Sequence, residues 1–127
     1  MKKTLLSLLT IGAFAFSNAQ NILIIYDDSP TNVSTLSLKS ALEAESMTVT
    51  ISDVNETAWD NTNPSVDGFD AVIHLNGTTY SNPMPNAGQT ALVDYVTNDN
   101  GLYLAFEWNA YEAASHTIMQ DLFFMHY

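Results

Sequence analysis

Three short apolar runs, each closed by turn-forming residues, constrain the fold of this chain more than any other feature. They span residues 22–26, 70–75 and 102–106. Runs of this length that do not alternate with polar residues are typical of strands buried on both faces of a parallel sheet. The sequence therefore predicts three buried strands. A fourth segment, residues 47–52, alternates strictly between apolar and polar side chains, which predicts a strand at the edge of the sheet.

Segments with helical spacing lie between and after these strands. They predict helices over about residues 32–45, 86–97 and 110–125, the first capped by Thr31 or Asn32. Residues 53–69 are predicted to be a polar connection. The residues expected to face inward from the first two helices are Val33, Leu36 or Leu38, Ala41, Leu42, Ala87, Ala91, Leu92, Tyr95 and Val96.

The alternation of strands and helices predicts an α/β fold with a flavodoxin-like, doubly wound parallel sheet. Right-handed crossovers then give the strand order 2-1-3-4, which puts the alternating strand at an edge. Four strands make a thin sheet of this type, and the chain closes on apolar residues, 122–127. We therefore expect a sheet truncated at the C-terminus, with residues 20–127 forming the N-terminal part of a longer protein and downstream domains as its partners.

The first 19 residues have the pattern of a secretory signal peptide. Lys2 and Lys3 precede an apolar run over residues 5–16, and small residues at 17 and 19 fit a cut after Ala19. The run is too short to span a membrane, which takes about 20 apolar residues. We expect an exported protein, in the periplasm, on the cell surface or outside the cell, with no membrane span after cleavage.

Charge and composition exclude several function classes. Without the first 19 residues, Lys39 is the sole base beside 14 Asp and Glu residues. Such a chain cannot neutralise phosphates, which excludes nucleic acids and anionic membrane surfaces as partners. The sequence contains no cysteine, so it has neither a thiol nucleophile nor disulfides.

Four segments resemble the class I glutamine-amidotransferase-like superfamily, and most of all its trehalose-utilisation (ThuA-like) branch. They are residues 21–26, 68–77, 91–96 and 100–106. The resemblance covers nearly all of residues 21–112. It implies the same α/β fold, with the functional turn directly after the last of these strands.

At that turn the amidotransferases carry a G-x-C-x-G elbow, and the matching residues here are 105–109. Ala105 is small, as the first position requires, and Asn109 can adopt the left-handed conformation that glycine supplies. Glu107 falls where the cysteine would be. A carboxylate cannot form the thioester, so the amidotransferase reaction is excluded. The histidine-containing turn of the trehalose-utilisation branch is also missing, which favours a binding module over an enzyme.

Ligands of open parallel sheets bind beyond the carboxyl ends of the strands. The loops expected there offer carboxylates, amides, a hydroxyl and an indole, which suit a carbohydrate or another polar small molecule. The same oxygens could hold a hard cation, or simply end strands and cap helices. The predicted ligand-binding residues are Asp27, Asp28, Asn76, Thr78, Glu107, Trp108 and Asn109.

Other chemistries find weaker support. Asp28 and Glu107 could form an acid/base pair of a sugar-active hydrolase or isomerase, with Glu107 as the acid/base. Residues 29–34 resemble a flavodoxin phosphate loop, but Asn32 replaces its glycine and two aspartates precede it, so no cofactor is expected. His74 is expected to be a hydrogen-bonded core residue. No histidines fall at metal-ligand spacing, so no metal site is predicted.

Overall fold

The computed structural model describes residues 20–78, 82–112 and 114–123, so the predicted signal peptide lies outside the described residues. No helix in these ranges is long and apolar enough to cross a membrane. The elements in chain order are β1 (Asn21–Ile25), α1 (Val33–Ala44), β2 (Thr48–Ile51), β3 (Ala71–Leu75), α2 (Asn86–Thr97), β4 (Leu102–Phe106), α3 (Asn109–Glu112) and a short 3-10 helix (Gln120–Leu122).

The four strands form one parallel sheet in the order β2-β1-β3-β4, which confirms the predicted α/β fold and strand order. Successive side chains of β1 point to opposite faces of the sheet. Ile22 and Ile24 pack on the face covered by α1, and Leu23 and Ile25 pack on the face covered by α2. Because both faces of β1 are buried, its sequence is continuously apolar.

The inward face of α1 differs from the predicted one. Val33 is 79% exposed and Leu36 is 42% exposed, whereas Thr35 is buried. Leu38 and Leu42 do pack on the sheet, as expected. Asn32 caps the helix as predicted, since its Oδ1 accepts a hydrogen bond from the Ser34 amide at 2.9 Å. Thr35, Leu38 and Leu42 are spaced three and four residues apart, so they share one face, and the apolar residues of the first turn lie outside it.

Helix α2 has the predicted bounds but not all the predicted contacts. Leu92 and Tyr95 are buried as expected, and Ala91 and Val96 are partly buried. Ala87 is exposed, and the adjacent Gly88 lies against the core instead. The small side chain of alanine is a weak marker of the buried face, because it loses little when it faces water.

Strand β4 is exposed where the sequence predicted a buried strand. Leu102, Leu104 and Phe106 are 54%, 38% and 49% exposed. The strand pairs only with β3, and no described element covers the face on which these three residues lie. Tyr103 points to the other face and packs against the core on the α2 side.

The predicted helix over residues 110–125 is wrong for the described part of that segment. Helix α3 ends at Glu112, residues 114–119 contain turns, and a 3-10 helix follows at Gln120–Leu122. His116, Met119 and Phe123 are all buried. Packing of these three side chains on the α2 side of the sheet takes precedence over the helical tendency of the segment.

The polar connection between β2 and β3 also contributes side chains to the core. Trp59 is fully buried among core residues, and its Nε1–H donates to the Pro64 carbonyl at 3.0 Å. Glu56, three residues earlier, is fully buried as well. The connection therefore covers the α2 face of the sheet and carries a carboxylate into the interior.

The connection packs closely against α2 at Gly88, so we expect a larger side chain at this position to be destabilising. A Cβ at residue 88 would lie 2.3 Å from the Trp59 carbonyl oxygen and 2.9 Å from the Met84 sulfur. Gly→Ala in a helix usually stabilises by about 1 kcal/mol. Here we expect Gly88→Ala to lower the free energy of unfolding by about 1–3 kcal/mol, because backbone has to move. Urea denaturation measures the loss, with the exposed Ser40→Ala in α1 as the control. A stabilised Gly88→Ala variant would contradict this packing.

Candidate functional site

The candidate site lies at the carboxyl edge of the sheet, where β1, β3 and β4 end side by side. The predicted ligand-binding residues follow these three neighbouring strands. They divide into two groups by exposure. Asp27, Asn76 and Asn109 are buried, whereas Asp28, Thr78, Glu107 and Trp108 are exposed. The exposed group is the part of the edge that a ligand can reach.

Asp28 and Thr78 are joined by two hydrogen bonds. The Thr78 hydroxyl donates to Asp28 Oδ1 at 2.5 Å, and the Thr78 amide donates to the same oxygen at 3.2 Å. The hydroxyl bond is the main cause that lowers the pKa of Asp28 below its ordinary value. Asp28 is therefore an ionised acceptor at neutral pH, held against the turn after β3.

Glu107 occupies the elbow between β4 and α3 in a left-handed conformation, with φ at 61°. Its Oε2 accepts a hydrogen bond from the Gly77 amide at 2.5 Å. A glutamate rarely adopts positive φ, and such strained residues cluster at binding and catalytic sites. We expected Asn109 to adopt the left-handed conformation, and this expectation is wrong because the sharp turn falls two residues earlier.

Asn109 acts as a clamp under the elbow. Its side-chain Nδ2 donates to the carbonyl oxygens of His74 and Phe106, both at 2.9 Å. These bonds tie the start of α3 to the ends of β3 and β4. Asn109 therefore fixes the position of Glu107, and its amide nitrogen faces the backbone.

Gly77 allows the three loops to approach one another. A Cβ at this position would lie 2.5 Å from Asp27 Oδ2 and 3.0 Å from Asp28 Cγ, and the residue has φ at 53°. Both constraints favour glycine. The consecutive amides of Gly77 and Thr78 therefore meet the carboxylates of Glu107 and Asp28 in one compact turn.

An apolar cleft and an aromatic pair adjoin this turn. The cleft has a volume of about 220 Å³ and is lined by Ser34, Leu38, Leu75, Phe106 and Glu107. The exposed rings of Trp108 and Tyr111 meet edge to face, with their centroids 6.1 Å apart. An apolar floor beside carboxylates and an exposed indole suits a ligand that has both hydroxyl groups and C–H faces.

Two larger clefts lie elsewhere, one at the amino ends of the strands and one along α2. The first, of about 360 Å³, is lined in part by Asp67, Asp70, Tyr95 and Asp99. Asp70 already accepts a hydrogen bond from the Asn21 amide at 2.7 Å, which joins the starts of β1 and β3. This cleft also contains a left-handed residue, Asn100, with φ at 56°. Ligands of open parallel sheets bind beyond the carboxyl ends of the strands, so the carboxyl edge remains the candidate site.

A second polar group lies inside the protein, and sequence reasoning did not find it. Glu56, His74 and His116 are fully buried, and one ligand-type atom from each lies within 4.8 Å of the others. His74 Nε2 is 3.2 Å from Glu56 Oε2, and His116 Nε2 is 3.9 Å from the same oxygen. The Tyr103 hydroxyl is 2.8 Å from His74 Nδ1.

The protonation of this group follows from burial and pairing. Burial works to raise the pKa of Glu56, but hydrogen bonds and charges of His116 and His74 outweigh it and hold the pKa below its ordinary value. Burial lowers the pKa of His74, against the pull of Glu56. Burial also raises the pKa of the Tyr103 hydroxyl well above its usual range. At neutral pH the group therefore contains a buried carboxylate beside a neutral His74.

The expectation that His74 is a hydrogen-bonded core residue is confirmed by its bonds to Tyr103 and Glu56. The sequence carried two signals of the buried group. One was a histidine in an otherwise apolar strand, and the other was a tryptophan in a connection too long for a simple turn. Comparison of the chain with protein-family models, with curated proteins and with solved structures gives no match.

Proposed function

We propose that this chain is a non-catalytic ligand-binding module of an exported protein, and that its ligand is a carbohydrate. The observation that carries the proposal is the strained elbow at Glu107, whose carboxylate meets the Gly77 amide at the carboxyl edge of the sheet. A rare conformation persists only where the surrounding structure holds it. The clamp by Asn109 supplies that support.

The chemistry of the edge favours a sugar over other polar ligands. Asp28 and Glu107 offer acceptors to hydroxyl groups, and Trp108 offers an aromatic face to the C–H side of a sugar ring. The apolar cleft beside Glu107 adds a second surface for such a face. The resemblance to the amidotransferase-like superfamily and its trehalose-utilisation branch supports the same ligand class, and the signal-peptide pattern of residues 1–19 supports export.

Binding without turnover fits the carboxylates better than acid/base catalysis. A general acid needs a raised pKa, whereas the pKa of Asp28 is lowered by Thr78. Glu107 and Asp28 each accept a backbone hydrogen bond from the same turn. Both are therefore placed as acceptors.

The alternative is a sugar-active hydrolase or isomerase of the ThuA-like type, with Glu107 as its acid/base. The strained elbow is the observation that favours it, because catalytic residues of several α/β enzymes occupy such a turn. In this case Glu107 would act on the ligand that Trp108 and Asp28 hold.

Intrinsic fluorescence and Glu107→Gln separate the two proposals. The chain has two tryptophans, of which Trp59 is buried and Trp108 is half exposed. We expect a panel of neutral mono- and disaccharides, trehalose included, to change the Trp108 emission of the wild-type chain. Glu107→Gln should weaken binding by about 10–150-fold, because a charged acceptor contributes about 1.5–3 kcal/mol. No product should form with either chain.

Three controls complete the experiment. Trp108→Phe assigns the signal, and the exposed Glu45→Gln tests whether loss of one negative charge matters. Product formation by the wild type that Glu107→Gln abolishes, with its fold retained, would establish the enzyme instead. No response to any sugar in the panel would overturn the carbohydrate proposal.

A further inference from the structure

The carboxylate of Glu56 lacks the partners that a buried charge requires. Its Oε1 has no hydrogen-bond partner among the described residues, and its Oε2 has His74 Nε2 at 3.2 Å. Lys39, the sole Lys or Arg in the described ranges, pairs with Glu43 on the surface of α1. Buried charges are otherwise paired, fully hydrogen-bonded or bound to a metal.

His116 presents Nε2 to the carboxylate of Glu56. This nitrogen accepts a hydrogen bond from the Met84 amide at 3.3 Å and lies 3.9 Å from Glu56 Oε2. A metal ion between the imidazole nitrogen and the carboxylate would have a donor atom on each side. The bond to Met84 is long, which makes its loss inexpensive.

His74 has the same arrangement as many metal-binding histidines. Its Nδ1 is 2.8 Å from the Tyr103 hydroxyl, and its Nε2 points at Glu56. A ligating histidine commonly has its second nitrogen hydrogen-bonded to a neighbour, which fixes the ring and its tautomer. Tyr103 fills this role for His74, leaving Nε2 to the metal.

We propose that Glu56, His74 and His116 form a closed zinc site. Two imidazole nitrogens and a bidentate carboxylate supply four donors, and the unpartnered Oε1 of Glu56 is the fourth. Two ligands about 2.0–2.2 Å from zinc lie about 3.4 Å apart in a tetrahedron. The separations of 3.2 and 3.9 Å from Glu56 Oε2 are near this value. All three ligand atoms lie within 4.8 Å of one another, so zinc would draw the two histidines together by up to about 1.4 Å.

Zinc suits this donor set better than calcium or magnesium. Imidazole favours zinc and its transition-metal neighbours, whereas calcium and magnesium prefer a shell of oxygens. The three ligands come from the connection before β3, from β3 and from the segment after α3. The metal would thus join three separate parts of the chain, and with its four donors it would keep no open position for a substrate.

Zinc binding to the purified, demetallated wild-type chain tests the proposal. We expect one zinc per chain in competition with a chromophoric chelator, and a higher melting temperature with zinc but not with calcium. X-ray absorption of the zinc-loaded chain should find two imidazole nitrogens among the ligands. Uptake of less than one zinc, or a shell of oxygens alone from surface carboxylates, would overturn the site.

Variants provide a graded check. His116→Gln and Glu56→Gln should each weaken zinc binding by more than about 100-fold, and Tyr103→Phe by about 10–100-fold, as expected for a partner of a ligand. Glu45→Gln, which removes an exposed carboxylate outside the cluster, should bind like the wild type. Circular dichroism reports whether each variant folds. If a variant does not fold, X-ray absorption of the zinc-loaded wild-type chain still tests the site. Equal zinc affinity in folded His116→Gln and wild type would contradict the proposal.

Discussion

Replacing Trp59 with alanine is expected to lower the free energy of unfolding by about 3–5 kcal/mol. The indole is fully buried in the core on the α2 side of the sheet. Its Nε1–H bond to the Pro64 carbonyl is lost in the variant as well. Urea denaturation followed by circular dichroism measures the change.

Two further substitutions show what the indole contributes. Trp59→Phe keeps an aromatic ring but loses the bond to Pro64, so its cost should be smaller than that of alanine. Trp108→Ala removes the same side chain from an exposed position and should change stability by no more than about 0.5 kcal/mol. A Trp59→Ala chain as stable as Trp108→Ala would mean that residues 53–69 do not pack on the sheet.

Replacing His74 with leucine is expected to cost about 3–5 kcal/mol at pH 7, because it leaves a buried carboxylate without its nearest partner. His74 Nε2 is 3.2 Å from Glu56 Oε2, and both residues are fully buried. The double variant Glu56→Leu with His74→Leu also removes the buried carboxylate. It should therefore regain most of the stability that His74→Leu loses. Denaturation in EDTA measures this pair without any bound metal.

The pH dependence of stability gives this pair a second signature. The folded pKa of His74 lies below its ordinary value of 6.5, so the unfolded chain takes up a proton there before the folded chain does. The contribution of His74 to stability is therefore present above pH 6.5 and is lost as the pH falls below 6.5. The pKa of Glu56 is also lowered, so the contribution of Glu56 to stability is lost as the pH falls below 4.5, the ordinary pKa of a glutamate. A double variant with the same pH profile as the wild type would contradict this assignment.

The sequence predicted the sheet well because strand burial leaves a local pattern. Continuous apolar runs marked β1 and β3, and strict alternation marked β2 as an edge strand. The same logic failed for β4, whose run is apolar although one of its faces is exposed. Local pattern records the composition of a strand, whereas exposure depends on which other elements cover it.

The candidate site was predictable only as far as topology determines it. Parallel strands bring their carboxyl ends together, so Asp28, Thr78 and Glu107 were expected at one edge. The clamp by Asn109 and the position of the left-handed turn depend on tertiary contacts. The buried group of Glu56, His74 and His116 combines residues that are 18, 42 and 60 positions apart in the sequence. No sequence spacing reveals such a group.

Amide chemical shifts of Gly77 and Thr78 test the central claim most directly, namely that the carboxyl edge beside Glu107 binds a carbohydrate. Both amides donate to the carboxylates placed as ligand acceptors. In a titration of the isotope-labelled chain with trehalose and the other sugars of the panel, we expect these two resonances and the Trp108 indole resonance to move together and saturate. The Trp59 indole should stay in place. Resonances of the edge that stay unchanged through the whole panel would contradict the claim.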